Sequence, residues 1–164
     1  MRRSDQKLLT REQLAQCVAE WRTWGKLLVF TNGCFDILHV GHLHLLEQAR
    51  AMGDLLIVGV NSDDSVRTFK GPTRPLVPEA ERAQLVAGLE CVDAVVIFPE
   101  PTATSLLELI RPDYYVKGGD YTEQNLPEAE TVVAYGGFLV ILPYEPNHST
   151  TQLIARIREG ADGV

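Results

Sequence analysis

Short apolar runs alternate with amphipathic segments along most of this 164-residue chain. The runs are continuously apolar, which is typical of parallel strands covered on both faces. Five of them are predicted to be strands: Leu27–Thr31, Leu55–Val60, Ala94–Phe98, Tyr114–Val116 and Phe138–Leu142. Strands that alternate with helices predict an α/β fold. We therefore expect a single-domain, Rossmann-like, doubly wound parallel five-stranded sheet with helices on both faces.

Terminal signals place helices between these strands. Thr10 and Gln13 have the spacing of a capping box at the start of a helix over residues 10–24. Gly53 follows a helical pattern at residues 43–50 and suits its C-terminal cap. Further helices are predicted at residues 79–89, 104–110, 127–135 and 150–159, and residues 61–74 are predicted to be a loop. We expect residues 1–26 to be an accessory segment and residues 27–160 to form the functional domain.

Composition and charge narrow the classes of function. The net charge of −7 argues against nucleic acid as a partner, because nucleic-acid binding needs a basic surface. No apolar run reaches the ~18 residues of a membrane span, and the N-terminus lacks the apolar stretch of a signal peptide. The three widely spaced cysteines, Cys17, Cys34 and Cys91, fit the reduced thiols of a cytoplasmic protein. A local basic stretch from Arg67 to Arg82 suits a site for a small anion.

The candidate chemistry lies in His39-x-Gly41-His42, which follows a strand and opens a helix. Imidazoles at i and i+3 share one face of a helical turn. Gly41 lets the backbone approach a ligand closely, and the helix start offers N–H donors to an anion. The motif therefore predicts a phosphate site. A zinc site is the alternative, but zinc usually takes a third protein ligand, and the other two histidines have no matching spacing.

With its neighbouring segments, this motif resembles the HxGH nucleotidylyltransferase superfamily, and more closely the heptose-1-phosphate adenylyltransferases. The resemblance covers residues 27–158, so that residues 27–160 would form the nucleotidylyltransferase domain. It rests on Thr31-Asn-Gly-Cys-Phe-Asp-Ile-Leu-His-Val-Gly-His42, Val60-Asn-Ser-Asp63, Lys70-Gly71, Glu81-Arg82, Val116-Lys-Gly-Gly-Asp-Tyr121 and Ser149-Thr-Thr151.

The resemblance implies a reaction in which ATP and D-glycero-β-D-manno-heptose 1-phosphate give ADP-heptose and pyrophosphate. It implies in-line displacement without a covalent enzyme intermediate, Mg²⁺ bound with the ATP, and a homodimer. In this reading the sugar phosphate is itself a competent nucleophile, so catalysis rests on positioning and charge stabilisation. That activity is often one half of a bifunctional enzyme with a sugar kinase. The sequence contains no kinase half, so we expect a stand-alone transferase.

The resemblance also assigns roles to individual residues. The catalytic residues would be His39 and His42 on the phosphates of ATP, Lys70 on phosphate oxygens, and Arg82 on the leaving pyrophosphate. Nucleotide binding would use Thr31, Asn32, Gly33, Phe35, Gly41, Lys117, Gly118, Asp120, Ser149, Thr150 and Thr151. The sugar phosphate would contact Asp36, Lys70 and Asp120. Asp36 would orient its loop, hold Mg²⁺ or cap a helix.

Three alternatives remain open at this point. A cytidylyltransferase acting on glycerol 3-phosphate or a similar phosphorylated alcohol carries a similar HxGH segment, but Tyr144 stands where such enzymes carry arginine. A non-catalytic nucleotide-binding module would tolerate the loss of a histidine or of Lys70. An NAD-binding domain is disfavoured, because no G-x-G-x-x-G follows the first strand. Residues 123–130 and 146–148 depart from the heptose pattern, which leaves the identity of the sugar open.

Overall fold

A computed structural model describes residues 3–119, 121, 125–143 and 149–161. The five strands are β1 Leu28–Gly33, β2 Leu55–Asn61, β3 Ala94–Phe98, β4 Tyr114–Gly118 and β5 Phe138–Leu142. The helices are α1 Arg11–Thr23, α2 Val40–Arg50, α3 Asp63–Lys70, α4 Glu79–Gly88, α5 Thr104–Ile110, α6 Ala129–Ala134 and α7 Thr150–Ala161. A short 3₁₀ helix, Ser4–Lys7, precedes α1.

The strands form one parallel sheet in the order β3-β2-β1-β4-β5. Strand β1 pairs with β2 from Leu28 opposite Leu55 to Gly33 opposite Val60. Strands β2 and β3 therefore lie on one side of β1, and the chain then crosses over to place β4 and β5 on the other side. The carboxyl ends of β1 and β4 meet at this reversal, which is where open α/β sheets bind ligands.

Helices cover both faces of the sheet, as the sequence predicts. On one face, α1, α5 and α6 pack on alternate strand residues such as Phe30 and Tyr115. On the other face, α2 and α4 pack on the intervening residues, including Val29 and Val116. The continuous apolar runs are explained by this arrangement, because each strand buries side chains on both sides.

The first helix belongs to the core of the sheet domain. The Thr10 side chain accepts from the N–H of Gln13 at 3.2 Å, and Gln13 accepts from the N–H of Thr10 at 2.9 Å, so the expected capping box is confirmed. Leu14, Val18 and Trp21 are buried against one sheet face. The division at residue 26 stays a prediction. None of the described helices is long and apolar enough to cross a membrane.

Helix α3 lies where the sequence predicted a loop. Val66 and Phe69 are its only apolar residues, so this eight-residue helix is amphipathic but too short to show a repeating apolar stripe in the sequence. Its ends carry the signal instead. The Ser62 side chain accepts from the N–H of Ser65 at 3.2 Å, and acidic residues at the start and basic residues at the end complement the helix dipole.

Gly53 has a role other than the expected helix cap. Helix α2 ends at Arg50 with Ala51 as its cap, in a right-handed conformation. A Cβ at Gly53 would lie 2.8 Å from Cγ2 of Val29 and 2.9 Å from the carbonyl oxygen of Leu27. Gly53 is therefore required for the close approach of this turn to β1.

Candidate active site

A cavity of about 660 Å³ opens at the carboxyl ends of the strands, across the reversal between β1 and β4. It brings together the start of α2, the ends of β1 and β4, and the start of α7. Every candidate site residue that the structure describes lines it except Thr31 and Arg82. Asp120 lies outside the described residues, as do Tyr144 and residues 146–148.

The two motif histidines meet at the start of α2. His39 is the N-cap residue and His42 follows one turn later. Their rings stack with centroids 3.8 Å apart and an angle of 24° between planes. The backbone N–H of His39 donates to Nδ1 of His42 at 3.4 Å. The pair therefore forms one rigid unit beside the exposed N–H groups that begin the helix.

His42 is held in its neutral form. Burial, then His39 and Lys70, lower the pKa of His42 from 6.5 to about 4. Because Nδ1 accepts a hydrogen bond, the single proton of the neutral ring belongs on Nε2. His42 can then donate from Nε2 to an anion in the cavity, without taking up a proton first.

An aromatic ring packs against the histidine pair. Phe35 is 3% exposed, and its ring lies 5.2 Å from that of His42, tilted by 53°. Its backbone φ is +50°, which places it in the left-handed region. Gly33 makes room for this ring, because a Cβ there would lie 3.2 Å from it.

Lys70 and the start of α7 add polar groups to the same cavity. Lys70 is the last residue of α3, is exposed, and lies close enough to His42 to lower the pKa of that imidazole. The Ser149 side chain accepts from the N–H of Gln152 at 3.2 Å and so caps the start of α7. Thr150 donates to the carbonyl of Ile37 at 3.4 Å, which joins α7 to the motif loop. With Thr151, these groups can surround phosphate oxygens.

Asp36 anchors a loop. It is 2% exposed, and Nε and Nη2 of Arg74 both lie 2.7 Å from Oδ2. Oδ1 accepts from the N–H groups of Leu76 at 2.8 Å and Val77 at 2.9 Å. His39, and not Asp36, caps α2. Both carboxylate oxygens therefore serve to hold this loop, and the expected roles of Asp36 towards magnesium and the sugar phosphate stay predictions.

Arg82 lies beneath the cavity wall, contrary to the expectation that it reaches pyrophosphate. It is fully buried and uses all three guanidinium nitrogens. Nε donates to the carbonyl of Val77 at 2.8 Å, Nη2 to Oδ1 of Asp63 at 2.8 Å, and Nη1 to the carbonyl of Cys34. Arg82 thus ties the motif loop to α3, which carries Lys70. We call Asp36, Asp63, Arg74 and Arg82 the loop support.

Thr31 also lies away from the cavity. It is fully buried in β1 opposite Val58, and its position between Phe30 and Asn32 makes it part of the strand. The described residues contain no cluster of three or more His, Cys, Asp or Glu side chains arranged to hold a metal ion.

A network of polar side chains forms one wall of the cavity. Asn32 Oδ1 accepts from the hydroxyl of Tyr115 at 2.7 Å and from Nζ of Lys117 at 3.4 Å. Lys117 is 9% exposed, and burial lowers the pKa of its ammonium group, partly offset by Glu128 and Cys34. Burial also raises the pKa of Tyr115, so that its hydroxyl stays protonated.

Glu128 lies close enough to this network to influence the pKa of Tyr115 and of Lys117, and it was missed by the sequence reasoning. It is 5% exposed, and its Oε1 accepts from the N–H of Ala103 at 3.0 Å. No motif marks a glutamate in a weakly helical segment, so only its position in the fold shows that it lines the cavity. We call Asn32, Tyr115, Lys117 and Glu128 the polar wall. His44, Tyr121 and Thr102 line the cavity and were missed for the same reason.

Residues 30–156 match the family described as cytidylyltransferase-like. The chain belongs to the cytidylyltransferase-like family. This match spans the motif loop, both central strands and the start of α7, so it covers every element that builds the cavity. The membership in a nucleotidyltransferase family indicated by the sequence is confirmed.

Curated relatives of this cytidylyltransferase-like chain include larger proteins. The chain is 51% identical to the bifunctional protein HldE of Geotalea uraniireducens over 96% of its own length and 32% of that protein. It is 52% identical to the bifunctional protein HldE of Koribacter versatilis over 92% of its length and 31% of the relative. The chain thus spans about a third of the length of these curated relatives.

Two solved structures show the same architecture. The lipopolysaccharide core biosynthesis protein from Thermoplasma volcanium is 30% identical, with a TM-score of 0.61 over 74% of this chain and 98% of that one. Pantoate-beta-alanine ligase from Francisella tularensis gives a TM-score of 0.59 at 13% identity, over 92% of this chain and 76% of the other. The second match shows the fold alone. Together they confirm the Rossmann-like sheet.

Proposed function

We propose that this protein is an adenylyltransferase that transfers AMP from ATP to D-glycero-β-D-manno-heptose 1-phosphate and releases pyrophosphate. The observation that carries the proposal is the rigid pair of His39 and His42 at the start of a helix, inside a cavity at the sheet reversal. The resemblance to heptose-1-phosphate adenylyltransferases names the substrates. Identity near 50% to proteins named bifunctional supports it, since that activity is often one half of a bifunctional enzyme.

In this mechanism, an oxygen of the sugar phosphate attacks the α-phosphorus of ATP. The bond from that phosphorus to the bridging oxygen breaks, and pyrophosphate leaves with its charge. His42 would donate from Nε2 to the phosphates, His39 would lie beside it, and Lys70 would neutralise phosphate oxygens. Donors fixed before the reaction stabilise developing charge without having to reorganise, which accounts for rate enhancement without a covalent intermediate.

The nucleotide would extend from the histidines towards α7. Gly118 and Gly119 allow close backbone approach, and Ser149, Thr150 and Thr151 supply hydroxyl groups at a helix start. Leu45, Leu142 and Pro143 provide apolar surface on the same side, which suits a nucleobase. Magnesium would enter with the ATP. A homodimer and a cytoplasmic location remain predictions from the resemblance and the composition.

The test is pyrophosphate release in the presence of Mg²⁺. ATP or CTP is paired with each anomer of heptose 1-phosphate and with glycerol 3-phosphate. We expect release only with ATP and a heptose 1-phosphate. Turnover of CTP with glycerol 3-phosphate would instead establish the cytidylyltransferase alternative, and nucleotide binding without turnover in any pairing would favour a binding module.

A further inference from the structure

Among the described residues, two buried charged groups of the polar wall have hydrogen-bonding capacity that is not used. We propose that Glu128 and Lys117 form the subsite that recognises hydroxyl groups of the acceptor sugar. This inference rests on the proposed function, and it moves Lys117 from the nucleotide to the acceptor.

Strand alternation places the wall on one side of the sheet. Asn32 follows Phe30 by two residues in β1, and Lys117 follows Tyr115 by two residues in β4, so all four project to the face covered by α5 and α6. Glu128 reaches the cavity from the start of α6 on that same face.

The apolar surface that suits a nucleobase lies on the opposite side. Leu45 and Leu142 pack with the core cluster under α2 and α4, and a Cβ at Gly118 would lie 2.9 Å from Leu45. The cavity therefore has an apolar side next to α2 and a polar side next to α6, and the histidine pair lies at the start of α2. Two different substrates can be held on these two sides.

The hydrogen-bonding capacity of the wall is only partly used. Glu128 is 5% exposed, and of its two oxygens only Oε1 has a hydrogen-bond donor among the described residues. Lys117 has three N–H donors; within the part of the chain that the structure describes it makes one long hydrogen bond, 3.4 Å to Asn32, and its Nζ lies 5.0 Å from the centre of the Tyr121 ring. Within the described ranges no ion pair joins Lys117 to Glu128. Each group can therefore take a ligand without breaking an existing pair.

The charges define the class of group that fits. The carboxylate of Glu128 offsets the ammonium group of Lys117, so this wall attracts phosphate less than Lys70 does, and the anionic parts of both substrates belong with the histidines and Lys70. A hydroxyl group both donates and accepts, so neighbouring hydroxyls of a sugar can donate to Glu128 and accept from Lys117. A site built this way rejects an analogue that lacks the hydroxyl, because its buried charges are then left without a partner.

The experiment measures kcat/KM for heptose 1-phosphate at saturating ATP in the wild type, Glu128→Gln and Glu130→Gln. Glu130 is the matched control, because it lies two residues away and is exposed. We expect Glu128→Gln to lower kcat/KM for the acceptor roughly 10- to 100-fold while the KM for ATP changes less than about twofold. Sugar 1-phosphates that each lack one hydroxyl extend the test. With the analogue missing the contacted hydroxyl, the wild type and Glu128→Gln should become equal.

Two outcomes would overturn the subsite: a Glu128→Gln protein that behaves like Glu130→Gln, or one that loses the use of ATP and acceptor in equal proportion. If Glu128→Gln does not fold, Glu128→Asp replaces it in the comparison with Glu130→Gln. This variant keeps the negative charge, but its side chain is shorter by one methylene group. Wild-type protein that releases pyrophosphate with no acceptor would contradict the proposed function before any variant is compared, and the subsite would fall with it. Turnover with glycerol 3-phosphate would contradict only the sugar, and the variants would then be compared on that acceptor.

Discussion

The loop support and the polar wall both bury charged side chains next to the same cavity, but the protein satisfies them to different degrees. In the loop support, both oxygens of Asp36 and all three nitrogens of Arg82 have hydrogen-bond partners. In the polar wall, and counting only partners that the structure describes, Lys117 makes one long hydrogen bond and Glu128 accepts one. A buried charge that the fold satisfies fully holds the fold together, whereas one left partly satisfied is available to a ligand.

The largest effect is expected at the histidines, which line the cavity. Removing one preorganised donor costs about 2.7–4 kcal/mol of activation free energy. His42→Ala should therefore reduce turnover roughly a hundredfold or more, measured by pyrophosphate release. Its melting temperature and ATP binding should stay close to the wild type. A nearly normal rate would remove His42 from the mechanism.

The next effect should appear in stability. Arg82→Met leaves two backbone carbonyls and the carboxylate of Asp63 without their donor, so the free energy of unfolding should fall by about 3 kcal/mol. Arg67→Met is the matched control, because Arg67 pairs with the exposed Asp64 and should cost no more than about 0.5 kcal/mol. Denaturant titration measures both. Equal losses would mean that burial of the guanidinium does not matter.

Acid should destabilise the protein through His42. The unfolded chain takes up this proton near pH 6.5, but the folded protein takes it up only near pH 4. The folded state therefore binds fewer protons between these values, and the stability that neutral His42 contributes above pH 6.5 is lost as the pH falls towards 4. We expect about 2 kcal/mol after allowing for the ring's partial exposure.

The check is denaturant unfolding at pH 7 and pH 4 for the wild type and for His42→Gln, which cannot titrate. The variant should lose less stability than the wild type between these two values. An identical loss in both proteins would assign the acid sensitivity to other groups.

The smallest effect on stability is expected in the polar wall. Lys117→Met removes an ammonium group whose pKa is lowered by burial and which pairs directly with no described carboxylate. The free energy of unfolding should change by less than about 1 kcal/mol. A loss as large as that of Arg82→Met, measured in the same titration, would abolish the distinction between the two groups.

The sequence predicted the fold well because continuous apolar runs and capping residues are local signals. Strands β3 and β5 have their predicted bounds, and β1 and β4 extend two residues further, into Asn32-Gly33 and Lys117-Gly118. Those added residues are polar or small, so each apolar run in the sequence ends before the paired strand ends in the structure. Helix α3 was missed because it is only eight residues long and its two apolar residues, Val66 and Phe69, are too few to form a repeating pattern.

The sequence predicted some of the site residues well and others poorly. Residues in contiguous motifs, such as His39, His42 and Ser149, lie together in the cavity as expected. Arg82 and Asp36 were expected to meet the substrate, but a motif does not show which way a side chain points or what already binds it. Glu128 carries no motif, and only the packing of α6 against the sheet places it opposite Lys117.

Phe35 occupies a backbone conformation that is unfavourable for any residue other than glycine. A left-handed backbone at a residue other than glycine costs about 1 kcal/mol or more, and glycine would relieve it. Glycine would also remove the ring that packs against His42. Phe35 therefore lowers the stability of the loop but holds the imidazole of His42 in place. Selection for thermal stability alone would favour glycine at this position, and the resulting protein would be more stable but less active.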